Sequence, residues 1–110
     1  PKESPLMSLV SLQNVNGSWA LNAALAALLG LTEAEARGKM PAQVSLGTWA
    51  TVLAVLWLHA RAAGQRDEWE LLEAKAQGWL RANAEPQLAE CVDAANSLLG
   101  CSVSPSLFGL

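Results

Sequence analysis

The chain has 110 residues, a formal net charge of −3, and a composition that is half apolar and dominated by alanine and leucine. That length describes one domain burying roughly two-thirds of its extended surface, so it needs neither a metal nor a disulfide to fold. Arg37, Lys39, Arg61, Arg66, Lys75 and Arg81 are scattered rather than clustered, which argues against the positive patch of a nucleic-acid binder.

Residues 1–30 hold two helices and a joint. Ser4 followed by Pro5 reads as a helix start, a hydroxyl cap and then proline at the first helical position. Leu6, Leu9, Val10 and Gln13 share one face at helical spacing, and this short helix ends near Gln13. The second helix, "LNAALAALLGL", has Asn22 as cap, Leu25, Leu28 and Leu29 as apolar stripe, and Gly30 as the left-handed stop.

Residues 31–47 read as a short helix and a connector. Thr32 and Glu35 stand at capping-box spacing and Gly38 closes the turn. "GKMPAQVSLG" follows, a linker with Pro41 and a glycine at each end.

Residues 48–100 hold three long helices. Thr48 is expected to cap the first, which runs from Trp49 to near Ala63 and stops at Gly64. Valine and leucine occur on every side of it, as in a helix surrounded by others. Its stretch "WATVLAVLWLHA" is too short for a bilayer, which takes about 20 apolar residues. Asp67 is expected to cap the second, with Trp69, Leu72, Ala76, Trp79 and Leu80 on one face and Glu70, Glu73, Lys75 and Gln77 on the rest. Gly78 sits mid-helix and predicts close approach of a neighbouring helix. Pro86 opens the third, whose stripe is Leu88, Val92, Ala95 and Leu99 and whose stop is Gly100. Residues 101–110 form an extended tail, because Pro105 and the serines oppose helix. The fold class is all-α: one domain, a compact bundle of about five principal helices plus a short one. Five tryptophans, a single phenylalanine and no tyrosine fit helices packed on helices with indoles in the wider gaps.

Reactive chemistry is sparse. Cys91 and Cys101 match no zinc or redox spacing and read as reduced thiols. His59, the single histidine, reads as a helix-end residue favoured by the dipole. Glu33, Glu35, Glu68, Glu70 and Glu73 belong to helix starts and solvated faces rather than to a catalytic pair. The glycines are dispersed, so no phosphate loop forms. The expectation is therefore no catalytic, cofactor or metal site, and not an enzyme. The sequence opens with no secretory leader, and the expected location is cytoplasmic.

The stretch "LVSLQNVNGSW" reads as a structural clasp. Gln13 can bond polar groups left free at a helix end, Asn16-Gly17 is a strong turn pair, and Trp19 folds back to cover the join. Its pattern is similar to the QW motif of α/α-barrel cyclases, which ties helix ends together. Gly-Ser-Trp-x-Leu, "WATVLAVLWLH" and "EWELLEAKA" followed by Trp79 together resemble the C-terminal region of von Willebrand factor A domain-containing proteins, over nearly the whole chain. The clasp resembles, less closely, the C-terminal region by which vault poly(ADP-ribose) polymerase attaches to the major vault protein. Where that family carries Asp-Gly-Ser-Trp, this chain has Asn16, which preserves the turn chemistry. The metal-site serines and aspartates of a von Willebrand A domain are not in this sequence, so that domain's activity does not carry over. The resemblance implies a protein-interaction module with the major vault protein as partner, and no nucleic acid or membrane. The expected contacts are Leu107, Phe108 and Leu110 of the tail and Trp57 and Trp69, taken as partly exposed. A capping domain without a partner, or a small Cys/His enzyme, are the competing readings.

Overall fold

A computed structural model describes residues 5–41, 44–83 and 88–104. Its elements are α1 (Pro5–Leu12), α2 (Ala23–Leu28), α3 (Glu33–Gly38), α4 (Leu46–Arg61), α5 (Arg66–Ala82) and α6 (Leu88–Leu99), with a 3-10 turn at Ala63–Gln65. The fold is all-α, with no strand among the described residues. Ser4, Pro86, Leu107, Phe108 and Leu110 lie outside those residues.

Helix α4 is the axis of the molecule. Every residue from Thr48 to Leu58 is buried, because α5 and α6 both pack along it. That explains its lack of a polar face: a helix covered all round gains from apolar side chains in every direction. Helices α1, α2 and α3 follow one another in contact, α1 on α2 and α2 on α3.

Three indoles fasten these layers by their N–H groups. Trp19 Nε1 donates to the carbonyl of Leu9 in α1 at 3.0 Å. Trp49 Nε1 donates to Ala36 of α3 at 2.9 Å. Trp69 Nε1 donates to Ala62 at 2.6 Å, where α4 gives way to the 3-10 turn. All three rings are buried, so each combines a large apolar area with a satisfied donor.

The caps follow the local signals in several places. Asn22 Oδ1 accepts the Leu25 N–H at 2.9 Å, and Thr32 and Glu35 complete a capping box. Gly30 has φ +81°; Leu31 N–H reaches the Ala26 carbonyl and Gly30 N–H that of Ala27, the paired bonds of a Schellman stop. Gly100, at φ +69°, ends α6.

Elsewhere the boundaries differ from expectation. Helix α4 begins at Leu46, not after Thr48: the Ser45 hydroxyl accepts the Thr48 N–H at 3.2 Å, so Ser45 is the cap. Gly47 sits in the first turn, where its entropic cost to the helix is offset by the Ser45 cap, and its open side faces the Trp79 ring. Helix α4 stops at Arg61 without using Gly64 as a left-handed residue. The turn is instead pinned by Ala62, whose carbonyl takes both the Gln65 N–H and the Trp69 indole. Helix α5 starts at Arg66 directly from this turn, so Asp67 lies inside its first turn and is not the cap. Gly78 is exposed and a Cβ there would meet nothing within 4 Å, so no helix among the described residues approaches it.

After α6 the chain turns back. Asn96 accepts the Val103 N–H at 2.8 Å through Oδ1 and donates to the Val103 carbonyl at 2.8 Å through Nδ2, which docks the first residues of the tail.

Candidate functional site

Residues 13–19 link α1 to the rest of the bundle. Gln13 Nε2 donates to the Gly17 carbonyl at 3.0 Å and to the Leu72 carbonyl at 3.2 Å. Leu72 lies within α5, so the glutamine reaches across to a neighbouring helix rather than closing its own end. Asn16 Oδ1 accepts the N–H and hydroxyl of Ser18 at 3.0 and 2.7 Å. Gly17 adopts φ +99°, and a Cβ on it would stand 2.6 Å from the Lys75 carbonyl oxygen. Backbone meets backbone here, and only glycine permits both the angle and the approach. Trp19 is fully buried; its backbone N–H donates to Thr51 Oγ1 at 3.0 Å and its indole to Leu9.

A second polar cluster joins α4 to α5. His59 Nε2 lies 2.7 Å from Glu73 Oε1, and Gln77 Nε2 donates to the same oxygen at 3.3 Å. Glu73 and Gln77 are buried, not on the solvated face expected of them. Trp69 closes the cluster edge-on to the imidazole, ring centres 4.9 Å apart, and the Arg66 guanidinium lies 5.7 Å from the centre of the Trp69 ring. His59 is thus bonded to an acid as well as placed at a helix end. A shallow groove of about 330 Å³ runs beside this cluster, lined by Arg66, Glu70, Glu73, Ala74, Gln77 and Arg81.

The larger cleft, about 550 Å³, opens where α1, the end of α2 and the end of α4 meet. Its lining combines the apolar Leu6, Leu28 and Leu29 with Gly30, Trp57, Arg61 and Gln65. Trp57 and Arg61 are four residues apart on α4 and so face the same way. The Trp57 indole N–H has no hydrogen-bond partner among the described residues. No fully buried side-chain nitrogen or oxygen is left without one, so this N–H is reached by solvent. Arg61 donates to the carbonyl of Leu99 at 3.1 Å, and no carboxylate neutralises it among the described residues. The cleft therefore combines an apolar floor with unused donors and a positive charge.

The residues singled out in the sequence are distributed as follows. Gln13, Gly17 and Trp19 come together at the α1–α5 junction. Trp57 and Trp69 are buried, at 9% and 1% exposure, rather than partly exposed; Trp69 offers no contact face, while Trp57 shows its edge to the cleft. Cys91 is buried in α6 and Cys101 is half-buried past its end, and neither is in a disulfide. The sequence reading places Leu6, Leu28 and Leu29 on helix stripes and Arg61 among scattered cations, and points to none of them, nor to Gln65, as a site. The available signal was Trp57 and Arg61 at four-residue spacing, an indole and a cation sharing one face at the end of the most apolar helix. Leu71 and Val15 are the most exposed large apolar side chains among the described residues. No group of three or more metal-ligating side chains gathers among those residues, and no described helix is long and apolar enough to cross a membrane.

An all-α unit with this clasp and cleft has sequence relatives among proteins that carry a von Willebrand factor A domain. The particular relatives are von Willebrand factor A domain-containing protein 5A of Mus musculus, 44% identical over 109 residues, and of Homo sapiens, 45% identical over 107. These alignments cover 98% and 96% of this chain and 14% of each relative, and the chain is homologous to their C-terminal part. A von Willebrand factor A domain-containing protein of Dictyostelium discoideum is 30% identical over 83 residues, 74% of this chain and 9% of that protein. No known family profile matches the chain, and no solved structure matches it.

Proposed function

We propose that this chain is a cytoplasmic, non-enzymatic protein-interaction module that docks on the major vault protein. The observation that carries the docking reading is the cleft at Trp57 and Arg61, where leucine side chains stand beside an indole N–H with no partner among the described residues and a guanidinium bonded only to the neutral Leu99 carbonyl. Ligand sites commonly combine apolar walls with a few convergent polar groups, in volumes of roughly 300–1,000 Å³. The non-enzymatic reading is supported by how the reactive groups are used: His59 holds Glu73, and Cys91 packs in the core. The choice of partner draws on the likeness of the Gly17-Ser18-Trp19 clasp to the attachment region of the vault polymerase.

Co-sedimentation of the chain with assembled vault particles tests the proposal. Retention with the particles, competed away by free major vault protein, is the expected result. Sedimentation no greater than that of an unrelated helical protein removes the named partner.

A further inference from the structure

We propose that the cleft between the end of α2 and the end of α4 receives a peptide segment in which a bulky apolar side chain is followed directly by a carboxylate. This rests on the docking reading above and names the chemistry of the partner's contact. Leu6 and Leu28 line the cleft with apolar surface suited to an aliphatic or aromatic side chain. In the same lining, Trp57 offers an indole N–H with no acceptor among the described residues. Arg61 offers a guanidinium that spends one N–H on the neutral carbonyl of Leu99 and keeps the remaining donors and its full charge. The ends of α4 and α6 bring partial negative charge to this corner, and Arg61 offsets it rather than being consumed by it. Two donors, one of them a cation, in a partly apolar recess select an acceptor that is anionic. A carboxylate accepts from both, since it can take charge-assisted bonds on two oxygens. A cationic segment would meet Arg61 directly, and a wholly apolar one would leave both donors desolvated and unpaired.

The test uses a short capped peptide carrying Phe-Leu-Asp at its centre, the same peptide with Asn in place of Asp, and octanoate as a free apolar acid. Binding is followed in the uniformly ¹⁵N-labelled chain through its five indole N–H signals. The acidic peptide is expected to move the Trp57 signal and to leave those of Trp19, Trp49 and Trp69 in place, because these donate to internal carbonyls. The Asn peptide is expected to bind about tenfold more weakly, the loss of one charge-assisted contact. Arg61→Gln should abolish that preference, and Trp57→Phe should weaken the acidic peptide while keeping the ring in the wall. Melting curves of both variants establish that they are folded. A stationary Trp57 signal, equal affinity for the two peptides, or binding of octanoate with refusal of the peptide overturns the proposal. The two readings fail separately. Peptide binding without retention on vault particles leaves the cleft assignment standing and removes the partner. Retention that Arg61→Gln leaves unchanged keeps the partner and removes the cleft.

Discussion

Trp19 and Trp57 are both buried indoles beside a helix end, and their surroundings differ in one respect. At Trp19 the polar groups find partners within the chain: the indole bonds Leu9, the backbone N–H bonds Thr51, and Gln13 bridges Gly17 to Leu72. At Trp57 the indole N–H finds none among the described residues, and Arg61 beside it has no counter-charge among them. Close packing alone does not separate a joint from a docking site. The separation comes from whether buried-edge donors are satisfied inside the fold, since an unsatisfied donor is worth keeping only where something outside can meet it.

The contrast can be broken first at Trp19. Replacing Trp19 by alanine should cost about 3–5 kcal/mol, the usual cost of emptying an aromatic site in a core. Denaturant unfolding measures it, and an unchanged midpoint would refute the role of Trp19 at the junction. Gly17→Ala comes next, at about 2–4 kcal/mol, because a Cβ must both adopt a left-handed angle and press on the Lys75 backbone. A paired substitution sharpens the comparison further. Trp19→Phe and Trp57→Phe both trim a buried ring and share that packing cost, and Trp19→Phe also leaves the Leu9 carbonyl orphaned, so it should cost about 1–3 kcal/mol more than Trp57→Phe. Equal losses from the two would erase the distinction. The smallest effect is a gain: Gly78→Ala, on an exposed helix face with open space around it, should stabilise the chain by about 0.5–1 kcal/mol. A loss there would reveal a packing role that the fold does not account for.

The errors in reading the sequence share a cause. Gly47 looked like a breaker, yet it lies inside the first turn that the Ser45 cap holds. Gly78 looked like a contact point and faces solvent. Glu73 and Gln77 looked solvated because they are polar, although Trp69, Glu73, Ala76 and Leu80 follow the spacing of a buried stripe. Position on the helix would have placed Glu73 inward; its chemistry argued outward, and His59 across the interface settled it. The cleft was hidden for a related reason. Leu6, Leu28 and Arg61 are ordinary residues on three different helices, and only packing brings them to one recess.

What was written locally was decided locally. Helix content, the caps at Asn22 and Thr32, the left-handed stops at Gly30 and Gly100, and the all-round burial of α4 follow from propensity and periodicity over a few residues. The tertiary structure alone decided which polar groups meet. Gln13 bonds Leu72, Trp19 bonds Thr51 and Arg61 bonds Leu99, pairs separated by 59, 32 and 38 residues. A hydrogen bond needs its partners within about 3 Å and well aligned. No short-range pattern carries that distance, so which donors are spent on the fold and which remain for a partner emerges only once the helices have packed.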